Sequence, residues 1–126
     1  MSFTNFLETE ILDHVFAGAA YTAPSTKYIG LFTAAPGEAG GGTEVSGNAY
    51  ARQSVAFTTS GNTTSNNAAV EFPTASGSWG TVTHVGVYDA STSGNLMAYA
   101  TLSSSKAIDT GDVFRVPSGD LDITLN

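Results

Sequence analysis

From residue 28 onward the chain alternates between short segments rich in Val, Thr, Phe and Tyr and connections made of Gly, Ser, Asn and Pro. β-Branched and aromatic residues fit a pleated, half-buried surface, and the connecting residues supply the backbone conformations that turns require. Many short strands separated in this way are typical of antiparallel sandwiches and barrels. The pattern therefore predicts a mainly β fold, an antiparallel β-sandwich or jelly-roll-like barrel over residues 28–126. The candidate strands are Tyr28–Thr33, Ala49–Phe57, Ala68–Phe72, Thr81–Tyr88, Leu96–Leu102, Lys106–Ile108, Asp112–Val116 and Asp120–Leu125.

The N-terminal segment has a different period. Between Thr4 and Phe16 apolar residues recur at helical spacing and acidic residues occupy the other faces. This predicts one amphipathic helix over residues 4–17, with a capping box of Asn5 and Glu8 and a C-terminal cap at Gly18. Either the helix covers one end of the sheet, or it anchors the protein on a neighbouring subunit. The apolar residues are Phe6, Leu7, Ile11, Leu12, Val15 and Phe16, of which Phe6, Leu7 and Ile11 are our candidates for packing or interface contacts.

The length of 126 residues predicts one domain, residues 1–126, with one core. Two polar connections interrupt the strands, but neither is a domain linker, because the strands on both sides are needed to complete that core. Residues 34–44 carry little side-chain bulk, and we expect them to be mobile unless another part of the protein holds them. Residues 58–67 are expected to form a surface hairpin or a crossover connection.

The charge pattern narrows the choice of partners. The net charge is −7, and the four basic residues, Lys27, Arg52, Lys106 and Arg115, are spread singly along the chain. Nucleic acids are bound by clustered cations, and an anionic membrane surface repels an acidic protein, so we expect a protein partner and neither nucleic acid nor membrane.

No apolar stretch approaches the roughly 18 residues of a membrane span, and no signal-peptide pattern is present, so the protein is expected to stay in the cytoplasm where it is made.

No residue pattern predicts catalysis, a cofactor or a metal site. There is no cysteine, and neither His14 nor His84 has a second metal ligand or a nucleophile at a local spacing. We interpret His84 as a structural residue that alternation places on the same face as Val82 and Tyr88. Asp109 and Asp112 flank a Thr-Gly pair and are expected to form a hairpin turn rather than a cation site. The protein is therefore predicted not to be an enzyme, although its carboxylates leave a glycan-active enzyme as a remaining class.

Several segments together resemble a family of small virion structural proteins of tailed bacteriophages. The resemblance covers nearly everything after residue 27, and the helix also fits the usual opening of that family. It lies in YIGLFTAAPG at residues 28–37, GGTEVSGNAYARQ at 41–53, WGTVTHVGVYD at 79–89, GNLM at 94–97 and KAIDTGD at 106–112.

The resemblance implies a virion component made in the host cytoplasm, whose partners are the major capsid protein and neighbouring copies of itself, as a homo-oligomer. Similar sequences are labelled tail fibre proteins, whereas others resembling them are capsid cement or decoration proteins. One domain without heptads or repeats cannot form a fibre shaft, so we favour a cement protein that stabilises the outer head lattice. The alternative is a tail fibre or baseplate component contributing to host attachment.

Two residues inside the matching segments are expected to have structural roles, although a direct subunit contact is an alternative for each. Trp79 is expected to pack between the sheet and a loop. Arg52 is expected to pair with an acid such as Glu44 or Glu71 and so to hold the preceding loop.

Overall fold

The computed structural model describes residues 1–126 and shows a mainly β protein with one N-terminal helix. The predicted fold class is confirmed, as an antiparallel β-sandwich. The elements are β1 Ser2–Phe3, α1 Asn5–Phe16, β2 Lys27–Ala34, β3 Thr43–Glu44, β4 Gln53–Val55, β5 Phe57–Ser60, β6 Thr63–Asn66, β7 Val70–Glu71, β8 Gly80–Tyr88, β9 Leu96–Ile108, β10 Arg115–Val116 and β11 Asp122–Thr124.

One layer of the sandwich is a six-stranded antiparallel sheet in the order β1-β9-β8-β2-β3. β4 pairs with the same edge of β2 as β3, but further towards the start of β2. The opposing elements are the two-stranded pair β7-β10 and the three-stranded sheet β11-β6-β5. The connection 45–52 therefore leaves and rejoins a single sheet edge, which places both of its ends close together.

The main core fills the space between these layers and contains 14 buried residues. The large sheet contributes aliphatic side chains such as Ile29 and Leu31, and the opposing layer contributes Phe72 and Phe114, whose rings meet edge to face at 5.8 Å. The full set is Ile29, Leu31, Val45, Val55, Val70, Phe72, Ala75, Trp79, Val82, Val85, Ile108, Phe114, Val116 and Leu121.

A buried asparagine joins the two smaller sheets. Asn66 is 1% exposed, its amide nitrogen donates to the carbonyls of Ala68 and Pro117, and its side-chain oxygen accepts from the N–H of Leu121. Every polar atom of this side chain thus has a partner, which is the condition for burying it without a large desolvation penalty.

Several strand boundaries differ from the sequence prediction. The predicted strand Ala49–Phe57 is interrupted, because Ala49 has φ +70° and regular pairing starts only at β4. The two predicted strands Leu96–Leu102 and Lys106–Ile108 form one strand, β9. Its Thr101 pairs with His84 and its Lys106 with Val82, so the residues between them bulge out of the ladder.

The turn at residues 109–112 forms, but it does not close a hairpin. Asp112 N–H donates to Asp109 O, and the Asp112 carboxylate accepts from Asp109 N–H. β9 and β10 on either side pair with β8 and β7 respectively, so the predicted hairpin was wrong. The stretch 58–67 does form a hairpin, β5-β6.

The helix ends as predicted and begins differently. Gly18 has φ +75° directly after the last helical turn, as a C-terminal cap requires. The N-cap is Thr4 and makes no side-chain cap hydrogen bond, so the predicted capping box of Asn5 and Glu8 was wrong. The Thr4 hydroxyl instead donates to Leu96 O at 2.6 Å, which ties the start of α1 to β9.

The glycine-rich connection 34–44 is held against the start of the helix. Asn5 N–H donates to Glu38 O at 2.9 Å, and the Tyr99 hydroxyl donates to the Glu38 carboxylate at 3.0 Å. Gly42 has a φ of +83° and lies against the other side of the loop. A Cβ added there would be 2.6 Å from Pro36 Cα and 2.7 Å from the carbonyl oxygens of Ala34 and Ala35. The two sides of the loop can therefore approach this closely only because residue 42 has no side chain.

Substituting Gly42→Ala is expected to lower the free energy of unfolding by about 2 kcal/mol, because the left-handed conformation and the contact with backbone both oppose a methyl group. The matched control is Gly41→Ala, where the added Cβ would lie 3.5 Å from Pro36 O, an ordinary contact. Denaturant unfolding of both variants checks the prediction. Equal stability of the two would contradict it.

Candidate functional site

Arg52 lies at the centre of a network that joins β3, the connection 45–52 and the loop 89–95. Its Nε and Nη2 donate to the two carboxylate oxygens of Glu44, each at 2.8 Å. Its Nη1 donates to Ala90 O at 2.9 Å and to Ser93 O at 2.7 Å. Its guanidinium carbon lies 3.4 Å from the centre of the Tyr88 ring, a cation–π contact. Only 9% of the side chain is exposed, so these bonds are largely protected from water.

Glu44 and Tyr50 complete this Arg52 network. The Tyr50 hydroxyl donates to Glu44 at 2.6 Å and accepts from Leu31 N–H at 3.0 Å, so it replaces a strand partner in the gap between β3 and β4. The carboxylate lies over Gly30, where an added Cβ would be 2.9 Å from Glu44 Oε2. Of the two acids proposed for Arg52, the partner is Glu44 and not Glu71, which lies on β7.

Tyr50 was not among the residues singled out by the sequence analysis. A signal was present, because Tyr50 and Arg52 are two residues apart and would share a face in extended chain. The roles of Tyr88 and of the carbonyls of Ala90 and Ser93 had no local signal in the sequence. These groups lie far from Arg52 along the chain, with Ser93 41 positions away.

Burial, followed by the hydrogen bond to Glu44, raises the pKa of the Tyr50 hydroxyl well above its ordinary value of 10.0. The unfolded chain releases this proton near pH 10 while the folded protein keeps it. The contribution of Tyr50 to stability is therefore fully present below about pH 10 and is lost as the pH rises above it.

Accordingly, the free energy of unfolding is expected to fall above about pH 10, with Tyr50 contributing about 1.4 kcal/mol per pH unit. Tyr50→Phe should reduce the slope of the free energy of unfolding against pH by about 1.4 kcal/mol per pH unit, the effect of one proton. Tyr99→Phe is the control: the hydrogen bond to Glu38 also raises the pKa of the Tyr99 hydroxyl, but this hydroxyl is exposed, so its removal should change the slope less. Denaturant unfolding between pH 8 and about 11 measures it. An unchanged slope in Tyr50→Phe would refute the assignment.

Trp79 is inside the protein, as predicted, with 5% of its surface exposed. Its ring packs edge to face on Tyr50 at 5.4 Å and on Phe72 at 6.5 Å. Its indole N–H donates to Asn48 O at 2.9 Å. Asn48 and Ala49 have φ of +52° and +70°, and Trp79 therefore holds a strained loop onto the core.

His84 has a structural environment and shares a face with one of the two residues predicted, Tyr88, but not with Val82. Its Nδ1 is 2.8 Å from the Thr83 hydroxyl, and it pairs with Phe32 across β2 and β8. The register shift between Val82 and His84 breaks the alternation there. Val82 lies in the main core, whereas Tyr88 packs with Phe32 and Leu96 in a second cluster, so the predicted face shared with Val82 was wrong. The pairing of β2 with β8 is regular from Tyr28 to Phe32, so His84 does share a face with Tyr88.

The helix packs against the sheet through its first half only. Phe6, Leu7 and Ile11 are half-buried, and the Phe6 ring meets Tyr21 at 6.5 Å. No helix residue is fully buried. On the outer side Leu12 is 57%, Val15 61% and Phe16 81% exposed, and we call these three residues the helix ridge. Exposed apolar side chains grouped in this way make the ridge a candidate contact surface.

The hydrogen-bond donors of Arg52 all bind acceptors within the protein, so the network holds the connection 45–52 and the loop 89–95 in place.

No place in the structure brings three or more His, Asp or Glu side chains together in an arrangement that could hold a metal ion. None of the helical segments has the length and apolar character needed to span a bilayer.

Residues 2–124 match a family model of phage virion proteins, described as podophage GP4 fiber I protein gp80. The chain belongs to this family, and the resemblance to small phage virion structural proteins is confirmed. No curated protein matches the chain.

Proposed function

We propose that the protein is a non-enzymatic fibre component on the outside of the virion, which binds other virion proteins through the helix ridge and the adjacent loops. The observation that carries the proposal is the ridge itself, since Phe16 at 81% exposure is the most exposed large apolar side chain. Membership of a family described as a fibre protein favours a fibre over other virion positions.

The position within a fibre follows from the size and sequence of the chain. A shaft needs a long repetitive chain, whereas 126 residues without heptads or repeats fit the base or the tip of a fibre. Loops at the tip of such a module could meet a host receptor or glycan.

A cement protein on the outer head lattice is the second candidate. It is favoured by the compact sandwich with one projecting apolar ridge, which suits a small clamp between neighbouring capsomers. Many copies on a lattice hold firmly even when each contact is modest.

Imaging of intact virions by electron cryomicroscopy distinguishes the two roles. Density for the protein in fibres, with reduced host adsorption of particles lacking it, is expected for a fibre component. Density only on the head, with heads that lose heat resistance when the protein is absent, would overturn the fibre role in favour of cement.

Incorporation into virions tests the surface that carries the proposal. The double variant Leu12→Ser/Phe16→Ser should fail to appear on particles in a complementation experiment. Leu125→Ser removes another exposed apolar side chain, 55% exposed and distant in sequence from the helix, and should be incorporated normally. Normal incorporation of both would argue against the ridge as the attachment surface.

Binding without turnover is the remaining part of the proposal. Purified protein incubated with host polysaccharide should release no reducing ends. Sustained release, lost on substitution of a pair of carboxylates, would replace this role by that of a glycan-active enzyme.

A further inference from the structure

Residues 1–21, which contain β1, α1 and the return of the chain to Tyr21, lie on the outside of the sandwich, and we call them the N-terminal strap. Neither core cluster has a buried member in the strap, and only the half-buried Met1 packs against one of them. Thr4 is the one fully buried residue of the strap. The buried side chains of both clusters therefore come from the sandwich alone.

The strap is attached to the sandwich mainly at residues 96–99 of β9. β1 pairs there with Ala98 and Tyr99. Next to this pairing, Thr4 N–H donates to Met97 O at 2.9 Å and the Thr4 hydroxyl donates to Leu96 O at 2.6 Å. Thr4 is 1% exposed, so water does not compete for these two bonds, which we call the latch.

Outside the latch the strap is held by few contacts. The Met1 nitrogen donates to Asp122 O at 3.2 Å, and Asn5 N–H donates to Glu38 O at 2.9 Å. No residue of α1 is fully buried. Segments with little buried apolar surface and few protected hydrogen bonds are the ones that open at a lower free energy than the rest of a protein.

Tyr21 belongs with the helix more than with the sheet. Its N–H donates to His14 Nδ1 at 3.1 Å, and its ring meets that of Phe6 at 6.5 Å. Its contact with the sheet is a weak one, in which the hydroxyl lies 3.9 Å from Met97 Sδ. Residues 17–21 can therefore move together with α1.

A short tether connects the strap to β2. Residues 22–26 make no main-chain hydrogen bond and are exposed, except for the half-buried Pro24. Five residues of extended chain span at most about 17 Å. The tether therefore limits how far a released strap can move, but it does not hold the strap in place.

We propose that the strap is released from β9 as one unit by opening of the latch, while the sandwich stays folded. Release carries the helix ridge up to about 17 Å from the sheet, and it also exposes the inner side chains Phe6, Leu7 and Ile11. The fold thus contains a device that changes the reach of its apolar helix. The inference goes beyond the proposed function and holds whichever virion protein the ridge binds.

Hydrogen exchange of the purified protein is the first test. The amides of α1 should exchange through one common opening, faster than those of β2 and β8. Thr4→Val removes the latch hydroxyl with little change of shape and should speed exchange throughout α1 about fivefold to tenfold, the effect of one buried hydrogen bond. Exchange in β2 and β8 should not change. The matched control is Thr101→Val, an exposed threonine of β9, which should leave the exchange of α1 unchanged.

A reversible crosslink provides the second test, because the chain contains no cysteine. Phe3 and Ala98 face each other across β1 and β9, next to the hydrogen bond from Thr4 N–H to Met97 O. They therefore form a non-hydrogen-bonded pair, with Cα atoms about 4.5 Å apart, a separation that a disulfide can bridge. In the variant Phe3→Cys/Ala98→Cys, oxidation should slow exchange throughout α1 by about tenfold or more relative to the reduced form of the same variant.

Two results would overturn the inference. If neither Thr4→Val nor the disulfide changed the exchange of α1, the helix would be fraying in place on a strap that stays attached. If Thr4→Val accelerated exchange in β2 and β8 as much as in α1, the strap and the sandwich would be opening together.

Discussion

Substituting Arg52→Met is expected to lower the free energy of unfolding by about 3 kcal/mol. The substitution leaves the Glu44 carboxylate, 23% exposed, without its cation, and removes the donors to Ala90 O and Ser93 O. Breaking a buried ion pair by removing one partner costs about 3–5 kcal/mol, and the partial exposure of Glu44 places this case at the lower end. Denaturant unfolding followed by the fluorescence of Trp79, the single tryptophan, measures the loss.

Two further variants separate charge from geometry. Arg52→Lys keeps the charge but not the planar fork that binds both carboxylate oxygens, and it should lose a substantial part of the same stability. The double variant Glu44→Gln/Arg52→Met should be more stable than the sum of the single losses predicts, because no buried charge remains unpaired. The exposed residue Arg115 is the control, and Arg115→Met should change stability by less than about 0.5 kcal/mol. A loss below about 1 kcal/mol for Arg52→Met would contradict the role of the network.

Replacement of Trp79 by alanine is expected to destabilise the protein by about 3–5 kcal/mol, as for other large aromatic residues removed from cores. The substitution removes the ring contacts to Tyr50 and Phe72 and one of the two donors to Asn48 O, which keeps the N–H of Ser76. For a chain of this size that corresponds to a fall in Tm on the order of 15 °C. Circular dichroism is the appropriate measurement, because the variant contains no tryptophan.

Two variants serve as comparisons for Trp79→Ala: the conservative Trp79→Phe and the exposed-site control Phe16→Ala. Trp79→Phe keeps an aromatic ring and should lose less, mainly the hydrogen bond to Asn48 and part of the packing. Phe16 is 81% exposed, so Phe16→Ala should leave Tm within about 2 °C of the unchanged protein. If Trp79→Ala melted as high as Phe16→Ala, the packing assigned to Trp79 would be wrong.

The fold class was predictable because it depends on residues close together in sequence. The helical period between Thr4 and Phe16 and the short β-rich segments after residue 27 correspond to α1 and to most of the strands. Arg52 and Trp79 were also assigned correctly to structural contacts, since an arginine close in sequence to an acid can pair with it and a single tryptophan in a β-rich chain packs most easily inside.

The candidate contact surfaces could not be derived in the same way. The helical pattern predicted that Phe6, Leu7 and Ile11 would make contacts, but it did not show that Leu12, Val15 and Phe16 would remain in solvent. The amphipathic period is the same whether a helix lies against the sheet along all of its length or only at its start.

The sequence by itself determined a mainly β chain with one N-terminal helix and an acidic surface, because composition and period are properties of neighbouring residues. The tertiary structure alone decided that Thr4 binds Leu96, that Asn66 is buried against Leu121, and that a bulge in β8 and β9 separates Val82 from the face of His84. The first two contacts join residues 92 and 55 positions apart. Which distant groups meet is selected by the packing of the whole chain, since a buried polar group is stable only where the fold supplies its partner.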